Sequence, residues 1–129
     1  MTSPINVFIV DDHAVYRDVA AAVVEATAGF EVVGSASNAE AAVESILAVE
    51  PSPDLVLMDV NLGDGNGLDV TTAVTARRPD LRVVFVSALA IEDLPDNART
   101  SGAVGYLPKQ QLSPATLEEL QAGAYDWRR

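Results

Sequence analysis

Apolar residues along the chain fall either into short continuous runs or into stretches with helical spacing. The runs at 5–10, 55–58 and 82–87 contain few polar residues, a pattern typical of strands buried on both faces of a parallel sheet. Shorter runs at 31–36 and 104–107 predict two more strands. Between the runs, apolar residues recur every three or four positions, which predicts helices at 14–26, 41–49, 67–78, 93–101 and from 114 onward.

Five strands that alternate with five helices predict one α/β domain with a doubly wound parallel sheet. The expected strand order is 2-1-3-4-5, as in flavodoxin-like folds, with the five helices on both faces. The sequence contains no internal repeat, low-complexity segment or linker. We therefore expect a single domain over residues 1–129, with its core at about 5–124.

Composition narrows the classes of function. The chain has 129 residues, no cysteine, and 8 basic against 19 acidic side chains, for a formal net charge of −11. The acidity argues against nucleic-acid binding by this chain, because phosphate contacts need clustered Lys and Arg. The sequence has neither an apolar run long enough for a membrane span nor a secretory signal pattern, so we expect a cytoplasmic protein that contacts no membrane.

Polar side chains stand at the carboxyl ends of the predicted strands. Asp11 and Asp12 follow the first strand, Asp59 follows the third, Ser87 ends the fourth, and Lys109 follows the fifth. The carboxyl ends of parallel strands share one edge of a sheet, and in this strand order the first and third strands flank the crevice where ligands bind. These five side chains are therefore predicted to surround one cleft.

Three carboxylates in one cleft repel one another, at about 4 kcal/mol per pair at ~4 Å and an effective dielectric constant near 20. Either one carboxylate takes up a proton or a cation lies between them. Oxygen ligands favour a hard divalent ion, with Mg²⁺ first. With Lys109 and the Ser87 hydroxyl, such a cleft is equipped to receive a phosphoryl group, and Asp59 is the predicted nucleophile because it is central.

These motifs, in this order, resemble the receiver domain of two-component response regulators. Asp-Asp-His with Arg17 soon after it, and a Gly-Ala-Val-Gly-Tyr-Leu run, are similar to the NarL/LuxR type. The segments that carry the resemblance are Val10-Asp11-Asp12, Met58-Asp59, Val86-Ser87-Ala88 and Gly102 to Lys109.

The resemblance implies a role for each matching position. Asp59 would accept phosphate from a sensor histidine kinase, and the Lys109 ammonium and Ser87 hydroxyl would contact the phosphoryl group. Mg²⁺ would bind Asp12, Asp59 and the Asn61 backbone carbonyl directly, and Asp11 through water. Ser87 and Tyr106 would form a switch, with Tyr106 moving from exposed to buried.

The resemblance also implies partners. The switch would change the surface made by the fourth helix, fifth strand and fifth helix. A homodimer would form through that surface or through neighbouring helices. Members of the NarL/LuxR type usually control transcription through a DNA-binding output domain, which is absent from this chain. Members of the family phosphorylate themselves from a donor and later remove their own phosphate, so the resemblance implies a phospho-acceptor and not a turnover enzyme.

Two other functions are compatible with the residues alone. A Mg²⁺-dependent phosphatase would also use an aspartyl nucleophile, but such enzymes usually carry an acid/base Asp where this chain has Asn61. A receiver-like domain that has lost phosphorylation would serve only for protein contact. His13, the only histidine, is expected to be structural or to lie at the cleft edge. Pro95 predicts a short or mobile fourth helix.

Overall fold

Five parallel strands form one sheet in the order β2-β1-β3-β4-β5 in the computed structural model, which describes residues 3–127. The predicted α/β fold and strand order are confirmed. The predicted domain limits at residues 1 and 129 lie outside the described residues. The strands are β1 (Ile5–Val10), β2 (Phe30–Ala36), β3 (Leu55–Met58), β4 (Arg82–Ser87) and β5 (Gly105–Pro108), and the α-helices are α1 (Ala14–Glu25), α2 (Ala39–Ala48), α3 (Gly67–Arg77) and α4 (Pro114–Gln121).

The register of the central strands aligns their carboxyl ends. Val10, the last residue of β1, pairs with Met58, the last residue of β3. Met58 in turn pairs with Phe85 of β4, two residues before that strand ends. The residues that follow β1 and β3 therefore emerge side by side at one edge.

Alternate strand residues face two separate hydrophobic clusters, as the two-residue period of a strand requires. Phe8 and Val56 pack with residues of α2 and α3 on one face, and Ile9 and Leu57 pack with residues of α1 and α4 on the other. Helices thus cover both faces of the sheet, and in such folds a ligand binds at the carboxyl edge.

The structure has four α-helices in residues 3–127, so the predicted helix at 93–101 is wrong. That segment forms two 3₁₀ turns, Ile91–Asp93 and Asp96–Thr100. Pro95 has no N–H to donate and holds Leu94 in an extended conformation, with φ −66° and ψ 147°. Only five residues then remain before the chain turns toward β5, which is too few for a stable α-helix. Because of this, α4 corresponds to the predicted fifth helix.

Residues 123–127, which we call the C-terminal strap, fold back along the edge of β5. Asp126 forms an antiparallel bridge with Gly105, and the backbone N–H of Trp127 donates to the carbonyl of Val104 at 2.9 Å. The Asp126 carboxylate accepts two hydrogen bonds from the Arg82 guanidinium, at 2.9 and 3.2 Å. The strap therefore covers a strand edge that would otherwise expose unpaired backbone groups. Within residues 3–127, no helix is both long and apolar enough to cross a membrane.

Candidate functional site

Two buried carboxylates lie side by side just beyond the ends of β1 and β3. The Asp11 N–H donates to the carbonyl of Ala36 at 3.2 Å, and the Asp59 N–H donates to the carbonyl of Val10 at 2.9 Å. These hydrogen bonds continue the strand pairing by one residue, which fixes both aspartates at the sheet edge. Asp11 is 2 % exposed and Asp59 is 6 % exposed, whereas Asp12 is exposed to solvent.

Lys109 joins the two buried carboxylates. Its Nζ lies 2.7 Å from Oδ2 of Asp11 and 3.2 Å from Oδ2 of Asp59. Lys109 follows β5 directly, so β1, β3 and β5 each deliver one member of this triad. The structure therefore brings together Asp11, Asp59 and Lys109 as the sequence predicted.

The charges in the triad depend on one another. Burial, and next the negative charge of Asp11, raise the pKa of the Asp59 carboxyl above its ordinary 3.8, while Lys109 and the hydrogen bond from the Val60 N–H oppose that rise. Burial alone would lower the pKa of Lys109, but its hydrogen bond to Asp11 and the charges of both carboxylates outweigh burial and raise it. The ammonium is therefore charged at neutral pH, and the two carboxylates remain under mutual repulsion.

Tyr16 of α1 holds the lysine from the other side, a contact that the sequence did not predict. Its hydroxyl donates to the Lys109 backbone carbonyl at 3.0 Å, and the Lys109 Nζ lies 4.6 Å from the centre of the Tyr16 ring. Burial, and next the charges of Asp11 and Asp59, raise the pKa of Tyr16 to about 12. Because 93 residues separate Tyr16 from Lys109, no local pattern signals this contact.

Four side chains that could hold a metal ion, which we call the metal-binding set, lie together beyond the ends of β1 and β3. One ligand atom from each of Asp11, Asp12, His13 and Asp59 lies within 4.8 Å of the others. Three of the four groups are carboxylates, and oxygen ligands with net negative charge are what Mg²⁺ requires. The chemistry of the donors therefore fits the divalent cation that the sequence predicted.

The loop after Asp59 is shaped by its backbone. Val60 N–H donates to Asp59 Oδ1 at 2.8 Å, and Asn61 forms an antiparallel bridge with Asn66. Gly67 begins α3 so close to the strand end that a Cβ there would overlap the Asp59 carbonyl. These contacts fix the conformation of residues 59–67, in which Asn61 is exposed two residues after the carboxylate.

The two predicted switch residues are linked to each other by Leu89. The Ser87 hydroxyl accepts a hydrogen bond from the Leu89 N–H at 3.1 Å, and the Tyr106 hydroxyl donates to the Leu89 carbonyl. Ser87 and Tyr106 are both buried. Tyr106 is therefore buried in this structure, and the backbone of residues 88–90, which we call the β4–3₁₀ loop, connects it to Ser87.

Comparison with protein families identifies one match. The model of the response regulator receiver domain matches residues 7–122. The transcriptional regulatory protein DegU of Brevibacillus brevis is 34 % identical over 125 residues, which cover 94 % of this chain and 52 % of DegU. The response regulator GacA of Pseudomonas aeruginosa is 35 % identical over 116 residues, which cover 90 % of this chain and 51 % of GacA. The chain thus spans about half the length of these relatives.

Solved structures give the same result. The response regulator domain of Thermotoga maritima CheB superposes with a TM-score of 0.80 at 30 % identity, and covers 95 % of this chain and 98 % of that one. The receiver domain of NarL from Mycobacterium tuberculosis has a TM-score of 0.79 at 27 % identity, with 93 % and 98 % coverage. The fold is therefore shared with known receivers.

Proposed function

The chain belongs to the response regulator receiver domain family, and we propose that Asp59 is the residue at which it accepts phosphate. Receiver domains are the phosphoryl acceptors of two-component signal transduction, which defines the role of the domain. The finer assignment of roles to Asp59, Lys109, Ser87 and the metal ligands is our proposal.

The observation that carries the proposal is the position of Lys109 between Asp11 and Asp59. The ammonium contacts both carboxylates, at 2.7 and 3.2 Å, while the other oxygen of Asp59 accepts the Val60 N–H. When a phosphoryl group forms on Asp59, the same ammonium is placed to contact a phosphoryl oxygen, and the countercharge needs no rearrangement.

Receivers bind Mg²⁺ at an acidic site of this kind, and the ligands here are proposed to be Asp11, Asp12, Asp59 and the Asn61 carbonyl. Bound Mg²⁺ would neutralise the carboxylates and stabilise the charge of the phosphoryl oxygens. Lys109 and Ser87 would also stabilise the negative charge of the phosphoryl oxygens. Lys109 holds one oxygen, and Ser87 donates to another once its hydroxyl turns from Leu89 toward the cleft.

The phosphate donor is proposed to be the phosphohistidine of a sensor histidine kinase. A carboxylate oxygen of Asp59 forms the new P–O bond as the P–N bond to the kinase histidine breaks, and the released imidazole nitrogen takes up a proton. The aspartyl phosphate is later hydrolysed within the domain. Because one acceptor is modified once per cycle, the chain is a phospho-acceptor and not a turnover enzyme.

The output is proposed to pass through Tyr106. If Ser87 turns toward the phosphoryl group, Leu89 loses its hydrogen bond to Ser87 and the Leu89 carbonyl moves relative to the Tyr106 hydroxyl. The surface formed by residues 91–100, β5 and α4 would then change shape. That surface, or the helices beside it, would form a homodimer or contact a partner.

The regulated process is proposed to be transcription. DegU is described as a transcriptional regulatory protein, and DevR/DosR of M. tuberculosis, 33 % identical over 105 residues, as a DNA-binding transcriptional activator. We propose that residues 1–129 form one receiver domain. Contact with DNA would belong to a separate output domain, since the acidic receiver is unsuited to bind phosphates.

Incubation with acetyl phosphate and Mg²⁺ tests the proposal by intact-protein mass spectrometry. We expect the mass to increase by one phosphate in the wild type and to stay unchanged in Asp59→Asn. Asp80→Asn is the matched control, because Asp80 is an exposed aspartate that precedes β4 at the opposite edge of the sheet. Phosphate on Asp59→Asn, or an unmodified wild type, would contradict the assignment.

A further inference from the structure

His13 is the one nitrogen donor among the four side chains that could hold a metal ion. Its Nδ1 lies 3.0 Å from Oδ1 of Asp12 and 3.2 Å from Oδ1 of Asp11. It is the single histidine of the chain. The Asp11–His13 segment therefore presents two carboxylates and one imidazole to the same point in space.

The structural role that the contacts support for His13 is a hydrogen bond between its Nδ1 and Asp11 Oδ1, at 3.2 Å. His13 is the residue before α1, but its side chain makes no capping hydrogen bond to that helix. The side chain is 70 % exposed, so it adds little to the hydrophobic core. Its contacts with the two carboxylates are the ones that the structure records for the imidazole.

Hydrogen bonds of the backbone around His13 hold the imidazole near the carboxylates. The His13 N–H donates to Asp11 Oδ1 at 2.8 Å, and the His13 carbonyl accepts the Arg17 N–H at 3.0 Å. The Arg17 guanidinium also donates to the Asp11 backbone carbonyl at 2.8 Å. These hydrogen bonds hold the turn from β1 into α1 in one conformation, with the imidazole beside the two carboxylates.

The distances suit shared coordination. Neighbouring ligand atoms of an octahedral ion with bonds of about 2.1 Å lie about 3 Å apart. The separations between Nδ1 and the two carboxylate oxygens match that value. Coordination through Nδ1 requires the neutral imidazole with its proton on Nε2, and the side chain is exposed enough for that N–H to bond to water.

We propose that His13 is a direct metal ligand through Nδ1, so that the site binds a first-row transition ion such as Mn²⁺ more tightly than Mg²⁺. Mg²⁺ gains little from an imidazole, whereas transition ions bind nitrogen well. The inference deepens the proposed function, since it uses the same acidic site. It makes His13 a determinant of metal specificity in the receiver.

Electron paramagnetic resonance of Mn²⁺ tests this proposal without any phosphorylation step. The signal of free Mn²⁺ gives the dissociation constant for Mn²⁺, and competition gives that for Mg²⁺. We expect His13→Gln to weaken Mn²⁺ binding by about tenfold and to change Mg²⁺ binding by less than about twofold. Glutamine keeps a hydrogen-bonding group, so a role in hydrogen bonding alone would leave both constants unchanged.

Pulsed measurements on bound Mn²⁺ give a second readout. The wild type should show the hyperfine coupling of a directly bound imidazole nitrogen, and His13→Gln should lack it. Val15→Ala, an exposed change in the first turn of α1, should retain both the coupling and the affinities. Absence of nitrogen coupling in the wild type, or an equal loss of Mg²⁺ and Mn²⁺ affinity in His13→Gln, would overturn the proposal. Failure of Asp59 to take up phosphate would overturn the proposed function alone.

Discussion

The side-chain hydroxyl of Tyr106 donates a hydrogen bond to the backbone carbonyl of Leu89, whose N–H donates to the Ser87 hydroxyl. One residue of the β4–3₁₀ loop thus holds both members of the proposed switch. Its backbone, and not a side chain, carries the connection. Any change in the hydrogen bonding of Ser87 therefore acts on the peptide that Tyr106 contacts.

Tyr106→Phe should loosen this loop without opening the cleft. The change removes a hydrogen bond to a partly buried carbonyl, which costs about 1 kcal/mol and lowers the melting temperature by roughly 4 °C. Hydrogen exchange of the amides at 89–94 should become faster, while the amides of β1 and β3 keep their protection. Tyr125→Phe, which lies outside that loop, is the control. Equal exchange in the two variants would argue against the Leu89 contact.

Asp59→Asn should stabilise the metal-free domain at neutral pH. The folded-state pKa of Asp59 is raised above 3.8, which means that the fold favours the protonated carboxyl. This contribution to the free energy of unfolding is complete below pH 3.8 and is lost as the pH rises through the raised pKa. The variant lacks the ionisable group and so avoids this loss. We expect its melting temperature in EDTA to exceed that of the wild type by roughly 4 °C at pH 7, or ~1 kcal/mol.

The two melting temperatures should converge as the pH falls through the raised pKa of Asp59, because the protonated carboxyl is uncharged and resembles asparagine. Excess Mg²⁺ should reduce or reverse the difference at pH 7, because only the wild type gains the full set of ligands. A constant difference at every pH would mean that the substitution acts through packing and not through charge.

Two substitutions at Tyr16 should separate its two contacts with Lys109. Tyr16→Phe removes the hydrogen bond to the Lys109 carbonyl but keeps the ring under the ammonium, whereas Tyr16→Leu removes both. Cation–π contacts at partly buried sites contribute about 0.5–2 kcal/mol. We expect the rate of phosphorylation by acetyl phosphate to fall about threefold in the first variant and about tenfold in the second. Equal rates would mean that the ring does not position the lysine.

Asp126→Asn should release the C-terminal strap. The substitution removes the charge that accepts two hydrogen bonds from Arg82, and it leaves a partly buried guanidinium without its countercharge. Trp127 is the only tryptophan of the chain, and its indole N–H donates to the Ala103 carbonyl at 2.8 Å. We expect its fluorescence emission to shift to longer wavelength as water reaches the ring. Asp69→Asn, an exposed change on α3, should leave the emission unchanged.

The cleft was predictable because its geometry follows from strand ends. Once β1 and β3 are recognised as buried parallel strands, the adjacency of Asp11 and Asp59 follows from the sheet and needs no knowledge of side chains. Lys109 follows from the same rule applied to β5. These residues depend on topology alone, and topology is encoded in the apolar runs.

The features that the sequence did not reveal depend on tertiary contacts. Tyr16 reaches Lys109 across 93 positions, and its place in α1 gives no sign of it. Tyr125 to Trp127 lack any strand pattern, yet they pair with β5 because its edge is open to them. Pro95 accounts for the missing helix at 93–101. The sequence predicts that this proline makes the helix short or mobile, whereas in the structure no α-helix forms there. The orientation of the His13 imidazole depends on a turn whose dihedral angles no residue type dictates.

The two 3₁₀ turns at 91–100 give this segment few internal backbone hydrogen bonds. Each turn is closed by only a few backbone hydrogen bonds, such as those from Asp93 to Ala90 and from Ala98 to Pro95. An α-helix at this position would resist deformation as a rod and would transmit a displacement at one end to the other. Two short turns separated by Leu94 and Pro95 have fewer internal backbone hydrogen bonds than one helix of the same length would have, so we expect residues 91–100 to deform at a smaller energetic cost than a helix would.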